Sequence, residues 1–154
     1  MIRHEMNHSF WIHLLGEALR NADQENPEAV WNLFWMCEAV ACWTGNDDFL
    51  VSRQACQGLA EMGTVSLADF HFQFRMELYN GDDGEFDPNK VKRLYGLWTS
   101  FLVWLTNGDP VPARSMLFEW AADATLENFE RVFERMFGGS LEAKVTEFLT
   151  PDWK

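Results

Sequence analysis

Two histidines and a glutamate at the start of the chain have the types and spacing for metal chemistry. His4-Glu5-Met6-Asn7-His8 satisfies H-E-x-x-H, in which a helix sets two imidazoles one turn apart on a zinc ion and the glutamate activates water. A catalytic zinc needs a third ligand as well. On a helical wheel at about 100° per residue, His4 and His8 fall on the face of Phe10, Trp11, Leu14, Leu15 and Ala18, and His13 falls well away from them. His13 therefore cannot complete the site. The longer pattern H-E-x-x-H-x-x-G-x-x-H fails too, because Trp11 and Leu14 stand where it requires Gly and His.

Glu28 remains, across the loop "NADQENP" that would fold a second helix back on the first. In spacing, His4, Glu5, His8 and Glu28 resemble the thermolysin-like zinc hydrolases. The resemblance covers those four residues, and it implies His4, His8 and Glu28 as ligands with Glu5 as general base. Two features argue against it. Zincin domains place a substrate-holding sheet ahead of the motif helix, and with only three residues before His4 none is expected here. Glu28 is also explained as an acid in the first turn of a helix, where it meets unpaired N–H groups and the positive end of the dipole. A zinc hydrolase is thus the alternative reading, and the expected protein is not an enzyme and holds no metal or cofactor.

Other catalytic constellations are missing from the sequence. A di-iron carboxylate bundle needs two E-x-x-H motifs, and Glu5-x-x-His8 stands alone. The acidic stretch Asn80-Gly-Asp-Asp-Gly-Glu-Phe-Asp87 has glycines in the wrong register for an EF-hand and lacks its final glutamate, so it reads as a solvated turn. There is no phosphate-binding glycine loop, nucleophile elbow or Cys/His pair, and no basic aromatic surface for nucleic acid.

These residues must be positioned by helices. Punctuation divides the chain into seven or eight segments with helical apolar spacing, at about 3–21, 28–44, 48–62, 67–80, 88–106, 115–123, 126–137 and 141–149. Asn26-Pro27-Glu28 and Asp87-Pro88 each offer an N-cap followed by a proline at the first helical position. Ser66, Thr125 and Ser140, each with an acid two or three residues on, add further caps, and Gly45, Gly63, Gly81, Gly108 and Gly138 mark stops. The segment 28–44 is apolar almost all round, so it belongs at the centre of a bundle, with Trp31, Trp35, Ala39 and Trp43 in one stripe. One segment conflicts with the pattern. Over 68–78, Phe70, Phe72, Phe74 and Met76 alternate with polar residues at the two-residue period of a strand, although the Ser66 cap favours helix. The expected fold is all-α, a single compact bundle of about seven or eight helices, with a minor β element at 68–78 as the one exception.

Composition decides among partners. A chain of 154 residues that is 47% apolar and 15% aromatic can bury a core as a single domain without disulfides. Cys37, Cys42 and Cys56 are an odd number in apolar helical surroundings, which reads as reduced thiols in a cytosol. The longest apolar run, Leu97 to Leu105, is too short to span a bilayer, and no cleaved signal is expected, so the reading is a cytoplasmic protein. Twenty-four acids against twelve bases give a net charge of -12, which disfavours nucleic acid and anionic membranes.

The acids are unevenly spread. Between Asn21 and Ser52 lie Asp23, Glu25, Glu28, Glu38, Asp47 and Asp48, and between Met76 and Asn89 lie Glu77, Asp82, Asp83, Glu85 and Asp87, with no Lys or Arg in either stretch. If the first four helices stack in antiparallel order, Asp47/Asp48 and Asp82/Asp83 gather at one end. That end would dock on the basic groove of a protein partner through Asp47, Asp48, Asp82, Asp83, Glu85 and Asp87, as an inhibitor, immunity-type or adaptor protein. A homodimer is a further expectation.

Overall fold

The computed structural model describes residues 27–45, 50–70, 80–81, 83–121 and 126–151. Within them lie six α-helices and one 3-10 turn: α1 (Pro27–Gly45), α2 (Arg53–Glu61), the turn Leu67–Asp69, α3 (Pro88–Leu105), α4 (Val111–Ala121), α5 (Leu126–Phe137) and α6 (Leu141–Leu149). No strand occurs among the described residues, in agreement with the all-α class. The helix expected over 3–21 lies outside them.

Caps set the boundaries. The Ser52 hydroxyl accepts from Ala55 N–H at 3.2 Å, so α2 begins at Arg53 and not near 48. Asp87 caps α3 and Ser140 caps α6, as their sequence contexts predict. The start expected at 115 moves to Val111. Asp109 Oδ1 accepts from Val111 N–H at 3.0 Å, and Pro112 sits in the first turn, where a missing N–H costs no helical bond. Gly138, at φ 72°, ends α5 in the left-handed region that other residues enter only with strain.

The segment 67–80 departs most from expectation. Its Ser66 cap forms, with Asp69 Oδ2 accepting from Ser66 N–H at 2.7 Å. The turn then stops at Phe70, because the Asp69 carbonyl accepts from the Trp98 indole N–H at 2.8 Å and the Phe70 ring is drawn into the core. Asn80 already pairs with Phe86 in an isolated antiparallel bridge. A continuous helix over 67–80 is excluded at both ends, and residues 68–70 are not strand; the rest of the alternating run, 71–79, lies outside the described residues.

The core of the described residues sits where α1 packs along α3, the most extensive helix pair among them. This corrects the expected stacking of successive helices, since α1 takes α3 as its main partner and α2 packs on α6. The reason is amphipathicity: α2 is short, buries only Cys56 fully, and cannot cover an all-round apolar α1, whereas α3 buries a continuous run from Gly96 to Leu102. Trp35, Phe70, Phe101 and Phe148 meet mostly edge to face, with centroids 5.9 Å apart for Trp35–Phe70, 5.0 Å for Phe70–Phe101 and 5.4 Å for Phe101–Phe148. Of the Trp stripe, Trp35 and Ala39 are fully buried and Trp43 packs against the core, so these three serve packing; the Trp31 side chain lies outside the described ones. Arg53 fastens α2 to the end of α6 by donating to the Phe148 and Glu147 carbonyls at 3.1 and 2.7 Å, with its guanidinium 5.1 Å from the Trp104 ring centre. Those carbonyls are among the ones a helix leaves unpaired.

Candidate functional site

The loop joining Asn80 to α3 is closed by its own backbone. The Asn80–Phe86 bridge holds its two ends, Gly81 N–H donates to the Glu85 carbonyl at 2.7 Å, and Gly84 N–H donates to the Gly81 carbonyl at 3.0 Å. Gly84 has φ 82°, a conformation that permits the tight return and that a side chain would strain. Lys90, one turn into α3, donates from Nζ to the Asn80 carbonyl at 2.8 Å and ties the loop to the helix that follows.

Two of the acids have structural work. Asp83 Oδ1 accepts from Glu85 N–H at 3.0 Å, an Asx-type turn, and Asp87 Oδ1 accepts from Asn89 N–H at 2.9 Å as the cap of α3. Each keeps a second carboxylate oxygen. Glu85 makes no side-chain hydrogen bond among the described residues, and Asp83 and Glu85 are both exposed. Phe86 stands between Glu85 and Asp87 with 59% of its surface exposed. Composition singled out the acids and overlooked this ring; the signal was a large apolar residue inside a turn-rich acidic run, where burial is hard to arrange.

Of the residues expected to bind a partner, Asp83, Glu85 and Asp87 are brought together on this loop. Asp47, Asp48 and Asp82 lie outside the described residues. Leu50 reaches a cleft beside Asn89, Lys92 and Arg93, so the chain following α1 returns next to the beginning of α3, directly after the acidic loop.

The metal motif stands differently. His4, Glu5 and His8 lie outside the described residues, and Glu28 is in the first turn of α1. Among the described residues no group of three or more His, Cys, Asp or Glu is placed to hold a metal ion. The cysteines are free thiols, not disulfides. Burial, with the Glu38 charge adding, pushes the Cys37 thiol up to about 12, and burial pushes Cys56 up to about 11, so both stay protonated and unreactive at neutral pH. No helix among the described residues is long and apolar enough to cross a membrane. No family model, curated protein or solved structure matches the chain.

Proposed function

We propose that the protein is a non-enzymatic binder that covers a basic surface of a protein partner, with the loop Asn80–Asp87 as its contact. The observation that carries this reading is an exposed Phe86 flanked by Asp83, Glu85 and Asp87 on a loop fixed by its own hydrogen bonds. An aromatic anchor ringed by charge combines the two parts of a specific interface, a desolvated centre and a polar rim that steers the encounter. A preformed loop loses little conformational entropy on docking. The net charge of -12 speeds approach to a cationic surface and works against nucleic acid itself, which suits occlusion of a groove that otherwise holds an anion.

The test is capture of partners from the native cell with the full chain and with an Asp83→Asn/Glu85→Lys chain, which changes the charge and keeps the side-chain acceptor at position 83, followed by affinity measurement on the captured protein. Affinity is expected to fall at least about tenfold in the variant, and to fall steeply between about 50 and 300 mM salt. An interaction indifferent to both would refute the proposal.

A further inference from the structure

A second surface has the opposite charge. Where α2 meets the first half of α3, a cleft of about 260 Å³ opens to solvent, walled by Leu50, Val51, Cys56, Leu59 and Leu97. Its polar contributors, Asn89, Lys92 and Arg93, share one face of α3 with Leu97, at helical spacings of three, four and eight residues from Asn89. The cleft is therefore graded along α3, from cationic near the start of the helix to apolar near Leu97. The Val51 loop is fixed to that helix, with Val51 N–H donating to Ser100 Oγ at 3.0 Å and the same hydroxyl 2.7 Å from the Val51 carbonyl.

From this grading we infer a binding site for a small amphipathic anion, an apolar chain ending in a carboxylate. Size limits the occupant. A cleft of about 260 Å³ that is open to solvent has the dimensions of a small-molecule site and not of a seat for a folded segment. Charge selects the head group. In a chain with twice as many acids as bases, two adjacent cations at the mouth of an apolar cleft oppose the global field, and over a few ångströms a local pair outweighs distant, screened charges. Lys92 has another interaction of its own, whereas Arg93 makes no ion pair among the described residues, so the Arg93 guanidinium is the main carboxylate partner, with its forked donors suited to two oxygens. The Cys56 thiol, buried and protonated, acts as part of the apolar wall. The apolar walls would take the chain, with Leu50, 55% exposed, as the lip.

The full-length protein should be titrated with octanoate, acetate and octylammonium by calorimetry and by NMR of its methyl groups. Octanoate is expected to bind at one site with a Kd on the order of 0.1–1 mM, shifting the Val51, Leu59 and Leu97 methyls, while acetate and octylammonium bind at least about tenfold more weakly. Arg93→Glu, at an exposed position, should weaken octanoate about tenfold or more with an unchanged melting curve. Leu59→Trp should fill the cleft and abolish binding. No saturation below about 5 mM, equal binding of acetate or octylammonium, or unaltered octanoate affinity in Arg93→Glu would each overturn the assignment.

Discussion

The aromatic cluster around Phe101 and the acidic loop before α3 are both well defined, for different reasons. Trp35, Phe70, Phe101 and Phe148 are held by burial and ring geometry, and each is fully removed from solvent. The loop Asn80–Asp87 is held by backbone hydrogen bonds and two carboxylate caps, and most of its side chains face solvent. A region ordered by burial is sensitive to shape, whereas one ordered by its backbone tolerates a change of charge at side chains outside its caps, such as Glu85. That tolerance lets the loop present charge and an exposed ring without endangering the fold.

The widest separation between the two regions should come from truncation. Phe101→Ala, at the meeting point of Trp35, Phe70 and Phe148, is expected to cost about 3–5 kcal/mol in urea unfolding, since the rings around it cannot collapse into the space. Phe86→Ala should cost well under about 1 kcal/mol, because it vacates solvent. Comparable losses would show that the loop is part of the core.

Alkaline pH acts on the buried thiols. Cys37 and Cys56 have folded values raised above the ordinary 9.0, so the unfolded chain gives up protons that the folded one keeps. Their contribution is complete below about pH 9 and is lost as pH rises towards 11 and 12, by roughly 3 kcal/mol for the two together at pH 10. Unfolding followed from pH 8 to 10 should show that decline, and Cys37→Ala/Cys56→Ala should flatten it.

Within the core, two indoles sharpen the comparison further. Trp98 Nε1 donates to the Asp69 carbonyl, while Trp35 Nε1 is buried with no hydrogen-bond partner among the described residues. Trp98→Phe should therefore cost about 1–2 kcal/mol more than Trp35→Phe, since it strands an acceptor where the other substitution removes a stranded donor. Equal costs would mean that packing alone governs both sites. The smallest effects belong to the loop: Asp87→Ala should cost about 1 kcal/mol through loss of the α3 cap, and Glu85→Lys less than about 0.5 kcal/mol.

The sequence made some of this legible and concealed the rest for physical reasons. Asp87-Pro88 and Ser140 announced their helices because a cap is a local interaction. The all-round apolar 28–44 segment announced its central place. The break at Phe70 was hidden because it depends on the hydrogen bond between Asp69 and Trp98, 29 residues apart in the chain. The pairing of α1 with α3 was hidden too, since apolar faces show that a helix is buried and not against which partner. At the loop, charge runs pointed to Asp83, Glu85 and Asp87, but the exposure of Phe86 depends on the turn that closes under it. The graded cleft at Arg93 needed residues from the Val51 loop, α2 and α3 to come together.

The central claim is that the acidic loop meets a basic protein surface. Its most direct test places a photo-crosslinking amino acid at position 86 and, as a control, at Met62, which is 71% exposed and does not belong to that loop. The expected result is crosslinking in the native cell from position 86 to a Lys/Arg-rich face of one partner, lost when Asp83→Asn/Glu85→Lys is added. Equal crosslinking from position 62, or crosslinking at 86 that survives the charge change, would contradict it.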